Sequence, residues 1–224
     1  MTGIIAQPLG QLLFALYNFI GDYGITLIVF TFIVRACLFP LYADQIKHSS
    51  KLNDVQPKIK DIQTRYANDK ETMNTKMMEL YKEEKVNPAR GCLPLLIQMP
   101  IIIGLFSLLR NPVAYIDNPS MLMAIHESFL WIADLSQPDL WVLPILAGIT
   151  TYISFTQTSS NPQMQGNPTM VMMKYLFPVM IVWWGRSFPA GLTLYWFFGT
   201  FIQIFQTMAL NKMKENNKRK ASKQ

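Results

Sequence analysis

Charge is scarce in this sequence. Of its 224 residues only 15% are charged, while 50% are hydrophobic. A soluble domain of this length carries about 25% charge, so a soluble globular enzyme is a poor fit. Lys and Arg are missing altogether from 1–23 and from 111–139. The first of these gaps leaves no basic n-region for a secretory signal, and no cysteine near the amino terminus could carry a lipid. The expectation is a mature or trimmed chain, or a first span that itself serves as the insertion signal. Cysteine is limited to Cys37 and Cys92, which argues against a structural disulfide and cannot make a metal site. His48 and His126 are isolated, and no ligand role is expected of either. There is no phosphate-binding glycine loop, no HExxH and no Ser/His/Asp set within the apolar runs. Neither enzymatic chemistry nor any cofactor or metal is therefore expected.

What is present is a series of apolar runs approaching the length that crosses about 30 Å of hydrocarbon. Five qualify as transmembrane (TM) spans: TM1 at 24–43, TM2 at 91–110, TM3 at 140–157, TM4 at 170–185 and TM5 at 190–209. The last two are joined by Arg186-Ser187-Phe188-Pro189, which allows only a tight hairpin. Segment 44–90 holds ten Lys or Arg and the tail 210–224 holds six, whereas 111–139 carries only Asp117, Glu127, Asp134 and Asp139. Positive charge stays on the cytoplasmic side. The hairpin segment and tail are thus expected inside, the amino terminus and 111–139 outside, and the loop 158–169 inside. Residues 1–23 repeat Leu9, Leu12, Leu13 and Leu16 at helical spacing but are interrupted by polar residues. They predict a helix lying on the outer surface of the membrane.

Within 44–90, Leu52, Val55, Ile59 and Ile62 follow a helical period, as do Met73, Met77 and Leu80 beyond the polar turn Ala67-Asn68-Asp69-Lys70. This pattern predicts an antiparallel helical hairpin, either a solvated coiled hairpin or a docking arm for a cytoplasmic partner.

One residue stands out. Arg35 lies eleven residues into 24–43, and no Asp or Glu occurs in any of the five spans. An Arg at the centre of a span costs roughly 2.5–3.5 kcal/mol on insertion scales. With no acid to pair it and a mid-span position that weakens snorkelling, Arg35 is expected to face water and to meet an external anion. Polar residues on other spans make a hydrated interior plausible: Thr31 one turn from Arg35, Gln98 on TM2, Thr150, Ser154 and Gln157 on TM3, and Trp196, Thr200, Gln203 and Thr207 along one face of TM5. A channel, a closed cavity and an open groove all fit this pattern. Two other functions compete: an anion transporter with Arg35 as ligand, which the lack of paired repeats disfavours, and a scaffold, which leaves Arg35 without a purpose.

Four stretches carry a family resemblance: VNPARGCLPLLIQMPIIIGLF (86–106), FPAGLTLYW (188–196), IVRACLFPLYADQIK (33–47) and NDVQPKIKDIQTRYANDK (53–70). Together they resemble, in order, the YidC/Oxa/Alb family of membrane protein insertases, and in particular the five-span Gram-positive type. The lipoprotein signal of many such members is not evident. The resemblance implies an all-α integral membrane protein, five transmembrane helices around a hydrophilic groove, with a cytoplasmic helical hairpin. It implies a groove open to cytoplasm and lipid, with Arg35 supplying its charge. Thr31, Gln98, Ser154, Gln157, Trp196, Thr200 and Gln203 would be the groove residues. The implied partners are nascent membrane proteins with one or two spans, the ribosome, the Sec translocon and the lipid bilayer, with no small-molecule substrate.

Overall fold

The computed structural model describes residues 2–87, 93–111, 114–115, 120–158 and 168–221. Cys92, Asp117, Lys223 and the stretch 159–167 lie outside the described residues, as do the side chains of His48 and Leu52. Eight helices follow one another: α1 Thr2–Ile20, α2 Tyr23–Arg65, α3 Lys70–Glu83, α4 Leu93–Arg110, α5 Ser120–Ala124, α6 Val142–Thr158, α7 Pro168–Gly185 and α8 Ala190–Ala221.

Local chemistry sets the boundaries. Gly21 adopts φ +74°, and its N–H bonds back to the Tyr17 carbonyl, a left-handed C-cap for which glycine is suited. Asp22 then caps α2 by accepting from the Ile25 N–H at 2.8 Å. Asp69 caps α3 by accepting from the Thr72 N–H and hydroxyl. These two donations hold its carboxyl below the usual carboxylate range.

Two boundaries drawn from hydropathy are not breaks in the chain. The division at 43/44 falls inside α2, one helix of 43 residues and about 65 Å long. The division at 209/210 falls inside α8, which runs 32 residues. Hydropathy changes at both places, but the helix continues into the polar residues, in α2 through Pro57. By length and composition, one helix among the described residues qualifies to cross a membrane, the stretch Tyr23–Lys47 of α2. Gln98–Arg110 and Val142–Gln157 are shorter apolar helices.

α2 and α3 pack as an antiparallel hairpin around Val55, Ile59, Leu80 and Val86, with Ile62, Met77 and Tyr81 against them. Ile59 is only 4% exposed. Ile59→Asp places a charge in this seam and is expected to open the hairpin, since removing a buried Ile side chain alone costs about 2–5 kcal/mol. Lys60→Ala and Lys82→Ala on the exposed face are expected to change stability by less than about 0.5 kcal/mol. Limited proteolysis of the hairpin checks this; equal resistance in all three variants would refute the seam.

The larger core joins Leu13 of α1, Tyr23, Leu27 and Phe30 of α2, Leu105, Leu108 and Leu109 of α4, the 121–135 segment, and Leu192, Leu194 and Tyr195 of α8. α1 packs along α4 and the start of α2. The acids of 120–139 act as caps and ties. Asp139 accepts from the N–H groups of Trp141, Val142 and Leu143 at the start of α6 and from Trp131 Nε1. Burial pushes its carboxyl up, but these donors prevail and hold it below the usual range. Glu127 accepts from the Tyr17 hydroxyl and, at 2.7 Å, from the Tyr23 N–H, tying this segment to α1 and α2. Beside it Phe129 lies against Gly24, where an added Cβ would sit 2.1 Å from the ring.

The bond to Glu127, aided by burial, pushes the Tyr17 phenol up to about 12. A raised folded-state value means that this tie contributes fully below pH ~10 and is lost as pH rises through about 12. Tyr17→Phe is expected to remove that alkaline step from a thermal-unfolding pH series. Glu127→Ala is expected to lower the melting temperature by several degrees at pH 7, as an unsatisfied buried donor costs about 1–3 kcal/mol. An unchanged series in both variants would refute the tie.

Candidate functional site

On four helices apolar core residues are followed by polar ones. α2 contributes core residues from Tyr23 to Val34 and then Arg35; α8 contributes them from Ala190 to Tyr195 and then Trp196. α4 carries Leu105–Leu109 on the core side and Gln98 on the other, while α6 follows Leu143 and Ala147 with Thr150, Thr151, Ser154 and Gln157. These positions bring Arg35, Gln98, Thr150, Thr151, Ser154 and Trp196 beside apolar neighbours such as Leu38, Phe197 and Ile204.

Arg35 lies between α2 and α8, half-buried. Its Nη1 donates to Gln203 Oε1 at 3.1 Å, and the Gln206 amide donates to its backbone carbonyl at 3.5 Å. Among the described residues its Nε has no protein acceptor within reach, and no acid pairs with it. The guanidinium lies over Gly199: a Cβ there would sit 2.9 Å from Nη2 and 3.2 Å from Nε. Two turns further along α2, Tyr42 shares a 2.6 Å hydrogen bond with Thr207 of α8.

The polar stripe of α8 divides between two neighbours. Gln203 and Thr207 turn toward α2, whereas Trp196 Nε1 donates to Thr151 of α6 at 3.0 Å and Thr200 shares a 2.8 Å bond with Thr150. α8 is thus tied by polar bonds on both sides. Gln98 of α4 donates to the Tyr195 hydroxyl at 3.2 Å. Ser154 is buried on α6, and Gln157 sits half-buried one turn beyond it. Thr31 is fully buried and donates to the Leu27 carbonyl of its own helix at 2.6 Å. Reading spans from sequence missed Tyr42, Gly199, Tyr195 and Thr151. Tyr42 had a signal, lying seven residues from Arg35 and so on the same helix face.

α4 meets α8 and α2 only lightly and forms no packed interface with α6 among the described residues. Two surface concavities lie elsewhere, between α6 and α7 and beside Arg186; neither contains Arg35. No group of three His, Cys, Asp or Glu could hold a metal among the described residues. Cys37 is a free thiol, and His126 bonds to Asp134 at 2.9 Å on the exposed surface.

The sequence profile of the 60Kd inner membrane protein family matches residues 15–218. A membrane protein insertase YidC of Fusobacterium nucleatum is 36% identical over 212 residues, covering 93% of this chain and 96% of that one. The chain belongs to the YidC/Oxa/Alb family. The insertase YidC 1 of Listeria monocytogenes is 38% identical, covering 88% of this chain and 67% of its own. Against the YidC of Citrifermentans bemidjiense, identity is 36% over 94% of this chain but 37% of the relative. The chain thus spans little more than a third of that relative's length. A crystal structure of an active YidC insertase with its first transmembrane domain resolved superposes with a TM-score of 0.68 at 30% identity, covering 91% of this chain and 45% of that one. Members of the YidC family are bacterial membrane proteins of several helices, and this chain's all-α architecture is of that kind.

Proposed function

We propose that this chain is a membrane protein insertase and chaperone of the five-span YidC type. Its spans are 24–43, 91–110, 140–157, 170–185 and 190–209, with the amino terminus outside and the tail inside, as the distribution of Lys and Arg supports. Family insertases act without catalysing a reaction. The observation that carries the mechanism is Arg35, with no acidic partner among the described residues and set just beyond an apolar core that joins five helices to the 121–135 segment.

On this reading the core closes the outer end, while the polar half forms a groove open to the cytoplasm and to lipid. A client's polar tail enters the groove, its acidic side chains meet the Arg35 guanidinium, and the dry distance left to cross shortens. The client's span, about twenty apolar residues, then partitions into lipid along α6 and α8. The membrane potential adds roughly 2.3 kcal/mol per charge per 100 mV to outward movement of an acidic tail. Clients are nascent membrane proteins with one or two spans, delivered by the ribosome, with the chain working alone or beside the Sec translocon. The hairpin is the docking arm, and the tail 210–224 supports binding to anionic lipid or ribosomal RNA.

Reconstitution into liposomes tests this. Insertion of a one-span client without nucleotide, and no flux of a small anion, is the expected result. Anion flux without insertion would replace this reading with a transporter.

A further inference from the structure

Lys174 stands apart from the groove. It lies on α7, within the proposed fourth span, and no acid pairs with it among the described residues. Instead its Nζ sits 5.6 Å from the Tyr152 ring centroid on α6 and 5.3 Å from that of Tyr175. Both distances fall within cation–π range. The two rings, 5.9 Å apart, form one end of an apolar furrow of about 310 Å³ between α6 and α7 that continues past Ile149, Val179 and Val182. The furrow exists because residue 148 is glycine: a Cβ there would meet Val182 Cγ2 at 2.5 Å, so the helices touch at its floor.

We propose that this furrow binds one anionic phospholipid of the cytoplasmic leaflet, its phosphate at Lys174 and one acyl chain lying along Ile149, Val179 and Val182. Charge and dimensions both favour this occupant. Lys174 and Val182 are eight residues apart, about 12 Å along the helix, against roughly 15 Å for the hydrocarbon of one leaflet. An ammonium group suits a phosphate as a point charge, and the tyrosine faces hold it at the furrow's end. The proposal rests on α6 and α7 being spans; it needs neither Arg35 nor insertion activity.

The test is native mass spectrometry of the full chain in detergent with added phosphatidylglycerol or phosphatidylcholine of identical acyl chains. Wild type is expected to retain the first phosphatidylglycerol about fivefold better. Lys174→Gln is expected to bring the two lipids to parity. Val179→Trp, at a position already 62% exposed, fills the furrow and is expected to lower retention of both. Arg186→Gln, at the opposite end of α7, is expected to leave the preference intact. A preference that survives Lys174→Gln, or that Arg186→Gln abolishes instead, overturns the assignment. So does a photo-cross-linker at Ile149 that captures a client helix and no lipid. Client insertion measured on the same variants keeps a failure here separate from a failure of the insertase reading.

Discussion

Arg35→Ala is expected to lower insertion of a client with an acidic translocated tail by about 10- to 100-fold, with the protein still folded. Hydrogen bonds to charged groups contribute about 1.5–3 kcal/mol, and each 1.4 kcal/mol is tenfold in rate. Among the described residues the guanidinium makes one side-chain bond, to Gln203, and no ion pair. Removing it therefore costs little structure while removing the positive charge. Arg35→Lys keeps the charge and is expected to keep most activity, because a passing contact does not need the planar fork. Arg35→Glu repels the tail and is expected to be the worst of the three. A client whose tail carries no acid should be affected least. Insertion scored by protease protection in proteoliposomes measures all of this. Full activity of Arg35→Ala with an acidic client would mean that the charge is packed and not used.

Gly199→Leu is expected to reproduce much of that loss without touching Arg35 itself. Even a Cβ at 199 would approach Nη2 to 2.9 Å. The group that must move is the flexible end of an arginine, so the helices can stay in place while the guanidinium leaves Gln203. Gly199→Ala is expected to cost a few-fold and Gly199→Leu about tenfold, with melting temperatures near wild type. The double variant Gly199→Leu with Arg35→Ala should be no worse than Arg35→Ala alone, since residues acting through one contact are not additive. A double variant far worse than either single one would show that Gly199 matters for helix packing and not for the placement of Arg35.

Hydropathy and charge bias are local properties, and they made the apolar runs, the hairpin seam at Ile59 and Leu80, and the anomaly of Arg35 legible in the sequence. The long reach of α2 was not, because a helix crossing from apolar to charged residues looks like two segments when the only signal is hydropathy. Tyr42 and Gly199 owe their places to the pairing of α2 with α8, whose bonded residues lie 165 and 168 positions apart. No periodicity within one helix reveals that pairing. Thr31 lies one turn from Arg35, and its hydroxyl donates to the carbonyl four residues back, as those of Thr200 and Thr207 do while also meeting a neighbouring helix. Likewise the polar stripe of α8 reads as a single face, yet it serves α6 through Trp196 and Thr200 and α2 through Gln203 and Thr207.

The central claim is that Arg35 and Gln203 sit in water continuous with the cytoplasm, and thiol labelling tests it most directly. In a chain with Cys37 and Cys92 replaced by serine, Gln203→Cys is reconstituted in sealed vesicles and exposed to a membrane-impermeant thiol reagent from one side at a time. Reaction from the cytoplasmic side, and none from the outside, is the result the account predicts. Leu27→Cys, fully buried in the apolar core, should stay unreactive from both sides. Protection of Gln203→Cys from the cytoplasmic side, with Leu27→Cys equally silent, would contradict the hydrated groove and leave Arg35 as a packed charge.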